Sequence, residues 1–204
     1  MFKVISFSRL IKYVAILTTF ISLGVYECAR EYWKDDLAIV KILSIAPWVV
    51  LLIILSITTE FVSRKIWKIS RWFNKSLFPD INGMWKGEIV TESGDKIPAR
   101  ARITQTLLYT RIDLHSDTSR SITLETTPAF EGGQYMLYYL YRAIPQDLTR
   151  PPYTGSTVFY VRVKDTWNEK YIELSGHYFT DRKTIGRIRL RQESDSTKDD
   201  GSFY

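Results

Sequence analysis

The sequence predicts an N-terminal two-helix transmembrane hairpin followed by an all-β domain, a small eight-stranded antiparallel β-barrel of lipocalin-like architecture. Three observations predict it. Two uncharged apolar stretches fall in the N-terminal third of the chain. After Pro79 the hydrophobic period switches to two. From there, short alternating runs recur between turn signals, with no good helix among them.

Tyr13 to Tyr26 carries no charge. Extended to Leu10 and Cys28 it reaches spanning length, about 20 residues, with Lys12 snorkelling toward one surface. The second stretch, Ile42 to Thr59, is also uncharged and grows through Ile39 to Lys41 and through Phe61 and Val62. Pro47 falls in its first turns, where a missing N–H is tolerated best. Trp48, Tyr32 and Trp33 suit an interfacial belt. A cleaved signal peptide would be followed by a small-residue site; Glu27, Arg30 and Glu31 follow instead.

The connecting loop, Ala29 to Ala38, is short, so the two helices are expected to be antiparallel. Lys3, Arg9 and Lys12 flank the first helix, and Arg64, Lys65, Lys68, Arg71 and Lys75 follow the second. The positive-inside rule then puts both termini in the cytoplasm, which makes the chain a multi-pass membrane protein with a cytoplasmic barrel. Residues 1–63 form the hairpin in this scheme, 64–79 an amphipathic basic connector, 80–193 the barrel and 194–204 a disordered tail. In the connector, Ile66, Ile69, Trp72 and Phe73 recur near helical spacing among basic residues. Two readings fit. The connector lies on an anionic leaflet, or the second helix simply continues.

Strands are expected over Met84–Glu92, Ala99–Leu107, Arg111–Leu114, Ile122–Thr126, Gln134–Ala143, Ser156–Lys164, Lys170–Thr180 and Thr184–Gln192. Ser93-Gly94-Asp95, Glu131-Gly132-Gly133 and Asp181-Arg182-Lys183 are turn signals between them. An eight-strand barrel has an interior just wide enough to be filled by side chains or to hold one small ligand.

Alternation points Trp85, Gly87, Ala101, Ile103, Gln105, Leu137, Tyr139, Tyr141, Thr157, Phe159, Leu174, Gly176, Tyr178, Thr180, Ile188 and Leu190 inward. Gln105, Tyr139, Tyr141, Thr157, Tyr178 and Thr180 are polar, need partners if buried, and fall toward strand ends near Arg182. An aromatic-walled pocket rimmed by amide, hydroxyl and guanidinium groups suits a nucleobase-bearing phosphodiester. The plainer account stays open and is strong, because tyrosines are common in strands and their hydroxyls reach the rim and water. Outward Arg187, Arg189 and Arg191, with Arg162 and Lys164, form a basic stripe or a solvated face.

The totals exclude several classes. One cysteine, Cys28, allows no internal disulfide and no C4 or C2H2 zinc site. Two histidines far apart in sequence, His115 and His177, form no ligand cluster at metal spacing. No nucleophile triad, phosphate-cradling Gly loop or paired interior carboxylates stand out, so no enzyme and no catalytic residue is expected. The net charge of +6 suits a membrane surface, a nucleic acid or a phosphorylated ligand without choosing among them.

A specific order of residues carries a resemblance. A two-helix hairpin precedes Phe78-Pro79-Asp80-Ile81-Asn82-Gly83-Met84-Trp85-Lys86-Gly87, and Ile103-Thr104-Gln105-Thr106 follows. Then come a Ser-rich turn through Ser119 and Ser121, Leu137-x-Tyr139-x-Tyr141 and Gly155-Ser156-Thr157. The run closes on Leu174-x-Gly176-x-Tyr178-Phe179-Thr180-x-Arg182-x-Thr184-x-Gly186. It resembles the two-transmembrane β-barrel effectors of bacterial CBASS anti-phage defence. The resemblance implies that the barrel binds a cyclic dinucleotide made by a partner nucleotidyltransferase (CD-NTase) during infection. It further implies homo-oligomerisation, disruption of inner-membrane lipid and abortive infection, with no cofactor and no DNA or RNA partner. The ligand-binding residues it implies are Trp85, Gln105, Tyr109, Tyr139, Tyr141, Thr157, Tyr178, Thr180 and Arg182. The family often has an aromatic directly after the Gln-Thr pair; here Leu107 and Leu108 intervene before Tyr109. The alternative from a different class is a membrane-tethered lipocalin-like carrier of an apolar ligand, or a protein-interaction module.

Overall fold

The computed structural model describes residues 7–33, 39–73, 77–106, 108–166 and 169–197. Lys3, the later part of the inter-helix loop, Lys75, Leu107 and the tail beyond Thr197 lie outside them.

Three helices come first: α1 (Phe7–Trp33), α2 (Ile39–Thr58) and α3 (Glu60–Phe73). α1 runs on to Trp33, through the first residues of the expected loop. Its window Ile11–Cys28 is long and apolar enough to cross a membrane. Ala46–Ser56 of α2 and Phe61–Phe73 of α3 meet that standard as a joined pair, and these two segments are bent by 86°. The second helix therefore does not simply continue into the connector. Thr58 and Thr59 sit at the bend and turn their hydroxyls back onto the preceding turn, Thr58 to the Ile54 carbonyl at 3.0 Å and Thr59 to that of Leu55 at 2.7 Å. Such back-bonding bends helices.

α1 packs against α2. Thr18 and Ser22 are buried on α1, and Val49 and Ile53 are buried on α2. Each pair is spaced by one helical turn, so each marks a single stripe. Small residues of this kind let helix backbones approach closely without a hydrophobic driving force. Gly24 takes no part, since its Cβ position faces open space.

The remainder is a closed barrel of eight antiparallel strands in sequence order. The strands are β1 (Gly83–Thr91), β2 (Lys96–Gln105), β3 (Thr110–Ser116), β4 (Ser119–Glu131), β5 (Gln134–Pro145), β6 (Tyr153–Thr166), β7 (Glu169–Thr180) and β8 (Ile185–Ser194). β1 pairs with both β2 and β8, which closes the ring. β4 is much longer than its alternation suggests. Its register against β5 shifts between Thr123 and Glu125, and a shift of this kind switches which residues face inward. Gly132 and Gly133 turn β4 into β5 with φ of +56° and +77°, as a two-residue primed hairpin requires.

Because every connection is a hairpin, the barrel has two well-defined ends. The chain enters from the helices at one of them, where β1 starts and β2 finishes. Here Phe78, Pro79, Ile81 and Asn82 are buried as a plug. The Ile81 N–H donates to Gln105 Oε1 at 2.9 Å, and the Trp85 indole N–H donates to the Ile81 carbonyl at 2.9 Å. Asn82 Oδ1 accepts the Gln105 backbone N–H at 2.9 Å, and Gln192 Nε2 donates to the Asn82 carbonyl at 2.7 Å. Gly83 follows with φ +128°, in close approach to the Ser194 backbone that leaves no space for a Cβ. Above the plug, Trp85, Ile103, Ile112, Leu137, Phe159, Leu174 and Leu190 fill the interior.

Candidate ligand-binding site

The other end of the barrel is built differently. β5 ends there, β6 begins there, and the β7–β8 turn closes there. Tyr139 and Tyr141 on β5 face inward two residues apart, and their rings stack with centroids 5.0 Å apart. Tyr139 continues the stack down to Phe159 at 6.1 Å, so the aromatic column runs from the core up to the mouth. Tyr178 on β7 and Tyr153 on β6 complete the ring of phenols around a cavity of about 110 Å³. Its floor and walls include Ile89, Leu114, Ala143 and Ile188, and Ser116, Ser119 and Ser121 supply hydroxyls on one side. Ligand pockets for drug-sized molecules usually hold ~300–1,000 Å³. This one accepts little more than a ring while the tyrosines stand where they are.

Two glycines set where the tyrosines stand. Tyr141 is registered opposite Gly155, and Tyr178 opposite Gly186. A Cβ on Gly155 would meet the Tyr141 ring, with Cε2 at 2.8 Å. One on Gly186 would lie 2.5 Å from Tyr178 Cε1. Each ring thus rests in the space its partner's missing side chain leaves, a cross-strand packing of aromatic on glycine.

The Tyr139, Tyr141 and Tyr178 phenols are neutral at physiological pH. Burial pushes the Tyr139, Tyr141 and Tyr178 hydroxyls above their ordinary pKa. Each therefore remains an O–H donor as well as an acceptor. Tyr139 donates to the Ile112 carbonyl at 3.4 Å. Thr123 Oγ1 donates to the same carbonyl and accepts the Ile112 N–H, both at 2.7 Å. Side-chain hydroxyls thus take over pairing where the β3–β4 ladder thins beyond Leu114 and His115.

The structure divides the residues expected to bind ligand into three groups. Tyr139, Tyr141 and Tyr178 line the cavity, and Thr157 is buried beside them, registered between Tyr139 and Tyr178. Thr180 and Arg182 stand on the rim turn. Thr180 Oγ1 lies 2.6 Å from Thr184 Oγ1, and the Arg182 guanidinium sits 4.4 Å over the Tyr153 ring while donating to the Pro151 carbonyl. Trp85, Gln105 and Tyr109 are not brought to this end at all. Trp85 and Gln105 hold the plug at the opposite end, and Tyr109 follows Gln105 in the β2–β3 loop there, in an outer groove with Arg102, Arg111 and Arg120. Tyr153, Ser116 and Ser121 line the cavity although alternation did not single them out. Tyr153 precedes Gly155 and Thr157 at strand spacing, and Ser116 follows Ile112 and Leu114 likewise, which was the available signal.

The outward basic stripe is a paired surface in part. Arg189 bonds Glu173 at 2.8 Å, and Arg191 lies 3.9 Å over the Tyr171 ring. Among the described residues, no group of three or more His, Cys, Asp or Glu is placed to hold a metal ion.

Comparison with known proteins bears on the same region. The family model described as Cap15, cyclic dinucleotide receptor domain, matches residues 76–192, more than half of the chain and nearly all of the barrel. CD-NTase-associated protein 15 of Staphylococcus schleiferi is 34% identical over 134 residues, which cover 62% of this chain and 66% of that protein. The chain thus spans just under two thirds of that relative's length.

Proposed function

This chain belongs to the Cap15 cyclic dinucleotide receptor domain family, and from that premise we propose that its barrel receives a cyclic dinucleotide at the tyrosine mouth and acts as a CBASS effector. The observation that carries the reading is the ring of Tyr141, Tyr153 and Tyr178 with serine hydroxyls, at the one barrel end that the plug leaves open. Aromatic faces stack on bases, neutral phenols and serines bond base edges and phosphate oxygens, and Arg182 at the rim supplies a positive charge for phosphate.

The cavity is too small for the whole ligand. Binding in this scheme swings Tyr141 and Tyr178 off Gly155 and Gly186, so that the rings clamp the bases they displace. Tyr139, Thr157 and Thr180 respond beneath and beside them. An apolar cargo would face the Tyr178 hydroxyl at the mouth without bonding it, which weighs against a lipid carrier.

The remaining steps belong to the same proposal. α1 and α2 hold the protein in the bacterial inner membrane as a two-span hairpin, with α3 turned aside from α2 and the barrel in the cytoplasm. The ligand comes from a partner CD-NTase. Loaded barrels associate, the membrane segments assemble, and the inner membrane loses integrity, so the infected cell dies. The test is calorimetry of the full chain in detergent against a panel of cyclic di- and trinucleotides. Micromolar or tighter binding of one member, lost on removal of the Tyr141 ring, is the expected result. Indifference to the whole panel would sink the reading.

A further inference from the structure

α3 is split into two faces. Ser63 and Trp67, one turn apart, are 1% and 2% exposed. Phe61, Ile69, Trp72 and Phe73 are 67%, 59%, 78% and 77% exposed, and at 100° per residue they fall on one arc away from that buried stripe. Trp72 and Phe73 meet edge to face at 4.8 Å. Lys65 lies in the same arc with its ammonium 4.3 Å from the Phe61 ring, and Lys68 borders it. The helix carries Arg64, Lys65, Lys68 and Arg71 against a single acidic residue, Glu60.

This face differs from the exposed apolar surface of α1 and α2. α3 has 14 residues, about 21 Å at 1.5 Å per residue. It is too short and too basic to cross a hydrocarbon core of about 30 Å. It also turns 86° away from α2. If α2 runs along the membrane normal, α3 lies in the membrane plane. An aromatic face edged by lysines in that plane matches the acyl–headgroup boundary of an anionic leaflet.

We infer that α3 is an interfacial helix, its Phe61–Ile69–Trp72–Phe73 face seated in anionic lipid and its lysines among the headgroups. The inference rests on the membrane placement of α1 proposed above. It adds a lipid-anchored pivot between the spanning segment and the plugged end of the barrel.

The experiment uses the full chain with Cys28→Ser as background, reconstituted into vesicles of phosphatidylcholine with phosphatidylglycerol. A fluorophore is placed at Trp72→Cys or, as a separate report on α1, at Phe20→Cys. Nitroxide lipids quench from the headgroup level or from the chain end. The label at position 72 should be quenched at least ~2-fold more by the headgroup-level probe, with the opposite order at position 20. Lys65→Glu with Lys68→Glu should weaken quenching at position 72 by about half in the anionic vesicles, leave position 20 unchanged, and lose this effect in phosphatidylcholine alone.

Deep quenching at both positions would make α3 part of the span and overturn the inference. So would no quenching at position 72 with deep quenching at position 20, whether water or a second copy covers the face. Shallow or absent quenching at position 20 would overturn the membrane placement of α1, and this inference with it.

Discussion

Tyr141 of β5 rests across Gly155 of β6, its register partner, and occupies the volume where any other residue would carry its side chain. The contact places an aromatic ring at the mouth without a dedicated hydrophobic pocket. It also makes the position of the ring depend on the absence of one methyl group.

Gly155→Ala should therefore act through Tyr141. The added Cβ would collide with the ring, and overpacking of this kind costs about 1–3 kcal/mol. With Tyr141→Ala already present, the same substitution should cost little. A double-mutant cycle by urea unfolding measures the coupling. Equal costs in both backgrounds would show that Gly155 serves the backbone and not the ring.

Tyr178 offers a sharper test of the ligand reading. Its hydroxyl is pushed above its ordinary pKa by burial, and it is a neutral donor facing the cavity. Tyr178→Phe keeps the ring and removes the donor. We expect affinity for the cognate cyclic dinucleotide to fall about tenfold, ~1.4 kcal/mol. Tyr178→Ala should cost more, because stacking is lost as well. Calorimetry on the two variants separates the contributions. Unchanged binding by the Phe variant would remove the hydroxyl from the mechanism.

The division of labour between the two barrel ends was only half legible in the sequence. Period-two alternation gave eight strands and the inward set, because the interior accepts apolar side chains on one face only. It did not give depth along the barrel. Trp85 and Tyr139 share the inward face, yet Trp85 bonds the entering chain at Ile81 while Tyr139 stacks toward the mouth. Strand direction was the missing step. The first residues of β1 adjoin the connector, so Trp85 and the last residues of β2, including Gln105, had to lie at its end. The shifted register within β4 hid that strand's length, and the tight β3–β4 turn hid Ser116 and Ser121.

Gln105 tests that assignment. Its side-chain carbonyl accepts the buried Ile81 N–H. Gln105→Leu should leave that donor unsatisfied and destabilise the chain by about 1–3 kcal/mol. Ligand affinity of the folded fraction should stay within about twofold, a difference of ~0.4 kcal/mol, because the cavity lies at the far end. Thermal unfolding and calorimetry read the two effects separately. A large loss of affinity in a stably folded variant would return Gln105 to the ligand site.

Asp113 is a carboxylate through which acid is expected to weaken the barrel. It lies on the outer face of β3, where Arg120 approaches both carboxylate oxygens at 3.1 Å and Arg102 and His115 approach at 3.3 and 3.2 Å. Burial pushes its carboxyl up, but the Arg120 hydrogen bond and charge, with His115 and Arg102, outweigh that and hold it below the ordinary carboxylate range. The folded state then binds fewer protons than the unfolded state as pH falls through the carboxylate range, so stability rises with pH across that window. The contribution of Asp113 is complete above its unfolded value of about 3.9 and is lost as pH falls through the lower folded value. Asp113→Asn should remove this component, lowering stability at pH 7 by about 1–3 kcal/mol and flattening the decline below about pH 4. Urea unfolding from pH 3 to pH 7 on both proteins reads the slope. Parallel profiles would show that the Arg120 cluster is not what ties the barrel's stability to acid.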